Sequence, residues 1–402
     1  MVNKTALPFS GTGTGVNPLV GRVSVPPIPQ AQGWLRAYDG RHGPAVDMSQ
    51  AVPGHQPPET FLKRFAEAGV MPAASRYGDI YGDEALRAAY ATHVSALYGA
   101  HVAPGDTAIT AGCNQAFFVA AMAVAAPGTS VLLPTPWYFN HQMTLEMLGI
   151  EPRPLPTRAE DGFVPDVSAA EALIDGRTRA IVLVSPNNPT GAIYPPDTIG
   201  AFHALCRRRG IHLILDETYR DFLPARSVPH ALFSRGDWRE NLVALYSFSK
   251  AYAIPGHRLG AMAAGRSVME AAGKILDCMQ ICPSRPSQAA LAPSIVETAG
   301  WRAERRAEIV ARAVTFCEAM AALPNWRVDS VGAYFAYVAH PFAGIPSIKV
   351  AEALAARLGL LILPGSFFGA GQETHLRIAF ANVDAAAIAY FAERLALSHD
   401  FF

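Results

Sequence analysis

The sequence predicts an α/β protein, with a large domain built on a mostly parallel sheet sandwiched by helices and a smaller α+β domain after it. Three observations predict this. Between Thr107 and about Gly265, short apolar runs of strand length alternate with helical patterns, the rhythm of repeated strand–helix–strand units. After about residue 290 the alternation stops, and Ala/Glu/Arg-rich helical runs give way to clustered strands. The 402 residues, half of them hydrophobic, are enough for two substantial cores.

In chain order, residues 1 to about 30 read as an irregular arm, because Pro26, Pro27 and Pro29 oppose regular structure. A short helical pattern spans Ala31 to Tyr38, and a longer amphipathic helix is expected over Asp83 to Tyr98. Buried strands are expected at Ser130 to Leu133, Ala180 to Val184, Ile211 to Leu215 and Val243 to Tyr246. Each is a largely continuous apolar run, as strands covered on both faces must be. The Ala-rich stretch Ala116 to Ala126 has the composition of a short core helix and falls far below membrane-spanning length. Toward the C-terminus, helices are expected over 301–322, 347–357 and Asp384 to Leu395. Strands are expected at Trp326 to Val328, Gly332 to Val338, Leu360 to Leu363 and Leu376 to Phe380. The resulting division is an N-terminal arm and part of the small domain over 1–50, the large domain over 51–290, and the small C-terminal domain over 291–402.

Four segments carry chemistry. Thr110-Ala111-Gly112-Cys113-Asn114-Gln115-Ala116 opens a helix with small residues, leaving free N–H groups that suit a phosphate. The run Ile181 to Val184 enters Ser185-Pro186-Asn187-Asn188-Pro189-Thr190-Gly191, whose asparagines can face a ligand or cap backbone groups. The run Ile211 to Leu215 ends in Asp216. Ligands of open α/β sheets bind beyond strand carboxyl ends, although an aspartate there can also begin the next turn. Last, Ser247-Phe248-Ser249-Lys250 leads through a Pro255-Gly256 turn to His257-Arg258-Leu259-Gly260. An amine nucleophile needs its charge destabilised and its stem held. A phosphate beside it needs hydroxyl donors and a planar guanidinium. Taken alone, the segment reads equally as a surface lysine in a polar loop.

In this order the four segments resemble the class I/II aminotransferases, fold type I enzymes that use pyridoxal 5′-phosphate (PLP), over roughly residues 45–395. The resemblance implies that Lys250 holds the cofactor covalently through its ε-amine and serves as base and acid in proton transfer. Asp216 then pairs with the ring nitrogen and keeps it protonated. Asn188 and Tyr219 donate to the ring hydroxyl oxygen. Gly112, Cys113, Asn114, Ser247 and Arg258 hold the phosphate, with Ser249 either joining them or orienting the lysine loop. In Pro134-Thr135-Pro136-Trp137-Tyr138 the Pro-x-aromatic spacing points to Tyr138 for the ring face and leaves Trp137 to core or rim. Tyr77, rather than Tyr81, resembles the tyrosine that reaches the phosphate of a neighbouring subunit, which implies a homodimer with shared active sites. Arg377, in His375-Leu376-Arg377-Ile378-Ala379-Phe380, resembles the arginine that binds the substrate α-carboxylate; otherwise it is a strand arginine in a surface ion pair. The implied substrates are an L-amino acid and a 2-oxo acid exchanging an amino group by ping-pong kinetics, with Asn188 and Ala51 close to them.

The chain departs from the family pattern at Ala51, where glycine is usual, and at His257, where a larger aromatic is common. Arg285, between Pro283 and Pro286, either reaches a distal substrate carboxylate in the neighbouring site or faces solvent near a domain hinge. A specialised lyase or cyclase on the same fold would share these residues. A ligand-sensing regulatory domain would follow a basic helical module, and none precedes the pattern.

Composition narrows the remaining classes. With 33 basic and 33 acidic residues and no polybasic run, neither nucleic acid nor a membrane surface is an expected partner. Five cysteines without paired Cys-x-x-Cys spacing suggest free thiols in a reducing cytoplasm and no metal site. The N-terminal stretch lacks the apolar core of a secretory signal.

Overall fold

The computed structural model describes residues 15–224 and 227–402. At its centre is a seven-stranded sheet of β1 (Thr107–Thr110), β2 (Ser130–Thr135), β3 (Glu151–Pro156), β4 (Thr178–Val184), β5 (His212–Asp216), β6 (Leu242–Ser247) and β7 (Gly260–Ala264). The spatial order is β1-β7-β6-β5-β4-β2-β3. The five strands from β6 to β3 run parallel, while β7 is antiparallel to both its neighbours, β1 and β6.

The apolar runs split into two cores by the two-residue period of a strand. Leu213 and Leu215 pack with Phe202 and Leu205 on one face, and Ile214 packs with Phe117 and Ala120 on the other. This is why these strands read as continuous rather than alternating hydrophobic segments. The helix Pro196–Arg209 follows from its local sequence. Pro196 occupies the first turn, Asp197 lies near the positive end, Arg207, Arg208 and Arg209 lie near the negative end, and Gly210 at φ 64° ends it.

Edge strand β3 was not among the expected strands. Its prolines, Pro152, Pro154 and Pro156, fall on alternate residues and so remove N–H groups from the outer side only. The amides of Glu151 and Thr157 bond back to Thr129 and Thr135.

A second core surrounds a four-stranded antiparallel sheet in the order Leu363–Pro364, His375–Ala379, Phe335–Ala339, Arg327–Gly332. The helices Ala299–Ala321, Ser347–Leu358 and Ala385–Ala396 pack around it. Val46–Asp47 pairs in parallel with Leu360–Leu361, drawing Val46 and Met48 into this core.

The N-terminal segment departs from expectation. Residues 1–14 of the expected arm lie outside the described residues. Pro18–Arg22 and Pro27–Trp34 are helical, and a single 3-10 turn, Leu35–Ala37, ends the segment that was expected as a helix over Ala31 to Tyr38. The prolines read as opposing a helix begin one instead. Pro27 sits at the first helical position, where a missing N–H costs nothing and a fixed φ is already helical.

Two glycines let the sheets meet. Gly191, at φ 77°, closes the Asn-Pro turn, and a Cβ there would lie 2.5 Å from the Gly332 nitrogen; a Cβ on Gly332 would strike the Gly191 carbonyl. Gly191→Ala is therefore expected to destabilise the protein by about 1–3 kcal/mol, from backbone strain plus the clash. Thermal denaturation measures this, and an unchanged melting temperature would mean that the two segments separate without cost.

Candidate active site

The carboxyl ends of the central strands open into a cavity of about 270 Å³. Cys113, Asn114, Tyr138, Asn188, Asp216, Tyr219, Ser247, Lys250 and Arg258 line it from the large sheet's strand ends and turns. Arg377 enters from the small sheet, and Ala51 from the segment after Val46–Asp47. Two expected site residues lie outside the lining. Gly112 sits behind it as the N-cap of the helix Cys113–Val124, and Tyr77 is 79% exposed on the surface of this chain.

Asp216 is the buried last residue of β5. Its carboxylate accepts a bond of 2.9 Å from the Thr218 amide and lies 3.3 Å from His141 Nε2. Burial works to raise its pKa, but His141 and the Thr218 donors outweigh that and hold it below the usual carboxylate value. Reading the sequence missed His141. It lies one turn after Tyr138, at the start of the helix Phe139–Met147, so both side chains point to the same side. The ring stacks on Phe117 at 3.9 Å and meets Tyr138 edge-on at 5.1 Å. A histidine three residues after the candidate ring-facing aromatic was the available signal.

Lys250 lies in a four-residue helix, Phe248–Ala251, capped by the Ser247 hydroxyl. Its Nζ donates to the Ala51 carbonyl at 2.5 Å. Burial first, then the charges of Arg377 and Arg258, push its pKa down to about 8. A substantial neutral fraction is thus available near physiological pH, as an amine nucleophile or base requires.

Arg377 is 2% exposed rather than paired on a strand surface. One arm donates to Asn188 Oδ1 at 3.1 Å, the other to the Ser49 carbonyl, and Nε has no protein partner. Burial lowers its pKa to about 10. A buried guanidinium with a donor to spare matches the planar fork of a carboxylate.

At the opposite end, Arg258 adopts φ 52° and donates to the carbonyls of Pro255 and Ala111 at 2.9 and 3.2 Å. Its guanidinium lies so close over Gly112 that a Cβ there would clash. A Cβ on Gly260 would lie 2.6 Å from the Gly112 carbonyl carbon and 2.7 Å from the Cys113 nitrogen. Only glycines permit this cradle of a helix N-terminus, a guanidinium and the hydroxyl-bearing Ser247 and Ser249.

Neighbouring residues divide the work. Asn187 caps its own turn, accepting from the Thr190 amide and hydroxyl and donating to Tyr194, while Asn188 faces the cavity. Both readings of the Asn-Asn pair thus apply, one to each residue. Trp137 packs against the core while Tyr138 lines the cavity. Tyr81 packs against Gly273. His257 meets Phe61 and Phe65 edge-on at 4.9 and 4.5 Å. Arg285 is half-buried, 3.3 Å from Asp83 and donating to the Ala73 carbonyl at 2.8 Å.

A family profile described as aminotransferase class I and II matches residues 45–395. This chain belongs to that family. Its members are fold type I enzymes that use PLP. The chain is 28% identical to an aromatic aminotransferase of Arabidopsis thaliana over 87% of this chain and 88% of that protein. It is also 28% identical to a valine–pyruvate aminotransferase of Mycobacterium tuberculosis, covering 90% and 93%. In fold it is similar to an aspartate aminotransferase from Thermus thermophilus with maleate, at TM-score 0.87 and 24% identity over 96% and 99% of the chains. An aspartate aminotransferase from Rhizobium meliloti gives TM-score 0.89 at 21% identity over the same shares. The donor set of this cavity fits PLP. A glycine-floored cationic cradle suits a phosphate dianion, an ionised buried carboxylate suits a protonated ring nitrogen, and the depressed lysine suits an aldehyde.

The Lys250 shift has a consequence for stability. An unfolded lysine titrates near 10.5 and the folded one near 8, so between these values the unfolded chain binds more protons. Stability from this group therefore rises with pH through that window. Lys250→Met removes the effect. The stability of the variant relative to the wild type, in the protein without cofactor, is expected to be greatest at or below pH 8 and to shrink by up to about 3 kcal/mol as pH approaches 10.5. Denaturant titrations of both proteins at pH 7.5 and 10 measure it, and a pH-independent difference would contradict the shift.

Proposed function

We propose that the protein is an amino-acid aminotransferase, moving an amino group from an L-amino acid to a 2-oxo acid by a ping-pong mechanism. The observation that carries this reading is the meeting in one cavity of an amine of depressed pKa, an ionised buried carboxylate and a buried guanidinium with a free donor. Bound there, PLP supplies an electron-accepting ring that stabilises negative charge on the carbon next to the substrate amine.

Gly112, Cys113, Asn114, Ser247 and Arg258 would hold its phosphate, Asp216 its ring nitrogen, Asn188 and Tyr219 its ring hydroxyl oxygen, and Tyr138 its face. Asp216 would keep a proton on that nitrogen, because its own charge is maintained by His141 and Thr218. Arg377 receives the substrate α-carboxylate and so fixes the Cα–H bond relative to Lys250. The Lys250 Nζ would take that proton and serve as the acid that gives it back. The Ala51 carbonyl, 2.5 Å from Nζ, orients the amine.

Among the described residues, the cavity lining includes the apolar Ile28 and Val52 and no cation besides Lys250, Arg258 and Arg377. This favours substrates with uncharged side chains. Without an acceptor, the enzyme is expected to release one equivalent of 2-oxo acid from leucine or phenylalanine, more readily than from aspartate. It should then stop until a second 2-oxo acid is added. Continued release without an acceptor would instead indicate a lyase. Lys250→Ala should abolish the half-reaction. Asp216→Asn should slow it by at least about a hundredfold, the lower end of losing a buried charge pair. A fall below tenfold would give the carboxylate another role.

The exposure of Tyr77, outside its own chain's cavity lining, supports a homodimer in which it reaches the partner's phosphate site. Mixing Tyr77→Phe with Lys250→Ala protein should then restore activity on subunit exchange, because one site in the mixed dimer carries neither defect. Full activity in a monomer would refute the shared site.

A further inference from the structure

The turn that carries Asp216 and Tyr219 into the cavity carries Glu217 and Arg220 out of its back. Both of the latter are buried, with 1% and 4% exposure. Glu217 Oε1 accepts from the Tyr98 hydroxyl and lies 3.2 Å from His230 Nε2, and its Oε2 lies 3.5 Å from Arg220 Nη1. The Arg220 guanidinium lies over the Tyr246 ring at 4.0 Å, with Tyr90 and Tyr98 at 5.7 and 5.9 Å. The Tyr246 hydroxyl in turn donates to Asp221 at 2.6 Å. Tyr246 is the residue before Ser247 and lies four residues before Lys250, and its ring meets Phe248 edge-on at 5.0 Å.

As a source of stability this network is poor. Two charges are desolvated for a long ion pair, and Arg220 Nε and Nη2 have no hydrogen-bond partner. Replacing such a pair by apolar residues of similar size is often neutral or stabilising. What the network does join is the acid-bearing turn at the end of β5 and the lysine-bearing end of β6. We propose that Arg220 is a positioning residue: paired with Glu217 and laid on Tyr246, it fixes Asp216 and Lys250 relative to one another from behind the sheet. The inference rests on the reading of those two groups as the reacting pair.

The test uses full-length Glu217→Gln/Arg220→Met, which removes both charges at similar volume and leaves no lone buried ion, together with Arg220→Lys, which keeps the charge but loses the planar stacking. Three quantities are measured: melting temperature, half-reaction kcat and KM, and the pH midpoint of Lys250 acetylation in the cofactor-free protein, read at that residue by mass spectrometry. The expected result for the double variant is near-wild-type melting with kcat down about thirtyfold and KM little changed. The acetylation midpoint should rise by about one pH unit as the amine loosens from its buried position. Arg220→Lys should fall between. A folded double variant with wild-type kcat and midpoint overturns the proposal, as does a loss of kcat that merely follows the unfolded fraction. Should the double variant fail to fold, a wild-type midpoint in folded Arg220→Lys overturns it. The acetylation readout needs no turnover, so a wild-type protein that does not transaminate would refute the proposed function while still leaving this inference to be decided.

Discussion

A carboxylate in the middle of a seven-stranded sheet stays ionised only if donors replace the water it has lost. His141 and the Thr218 amide meet that condition for Asp216, and much of the surrounding structure follows from it. His141 reaches the carboxylate only if the helix Phe139–Met147 starts directly beyond β2, and that start turns Tyr138 into the cavity. The Thr218 amide reaches it only if the chain turns sharply after β5, and that turn brings Tyr219 back to the same cavity.

The second constraint joins the two cores. Arg377 belongs to the small sheet but bonds Asn188 of the large one, and its other arm ends on Ser49. Without these acceptors, a guanidinium at 2% exposure would be desolvated with nothing in exchange. The Gly191–Gly332 contact brings the same turn against the edge strand Arg327–Gly332 of the small sheet. The distance between the guanidinium and the Lys250 amine is therefore set by the packing of two cores.

The layout of the cavity was legible because a buried parallel strand and its polar end are both written locally. Apolar runs ending in Asp216, Ser185 and Ser247 mark where the sheet stops and ligand space begins. What was not legible depends on distant partners or on position within an element. Glu217 reads as one more polar turn residue. Its burial is decided by Tyr98, 119 residues away, and by His230 across the loop. Arg285 reads either as a hinge cation or as a pocket arginine, and its attachment to Asp83 spans 202 residues. The N-terminal prolines misled because their effect depends on position. A proline is costly in a helix interior or a central strand, yet harmless in a first turn or on the outer side of an edge strand, and composition does not distinguish these positions.

The two arginines that make the cavity a receptor for anions also act on its base. Burial is the larger cause of the depressed Lys250 pKa, and Arg377 and Arg258 add to it through their charges. An anion resting on either guanidinium cancels part of that potential, which in a poorly solvated cavity is only weakly screened. The amine then becomes more basic as the anion sites fill. The coupling is reciprocal, so a protonated Lys250 tightens anion binding by the same free energy. On the proposed function, a carboxylate arriving at Arg377 would thus strengthen the base that is to remove the proton beside it. On that reading, stronger proton affinity would arise in the loaded site, where proton abstraction needs it, and be held down by burial and two like charges otherwise.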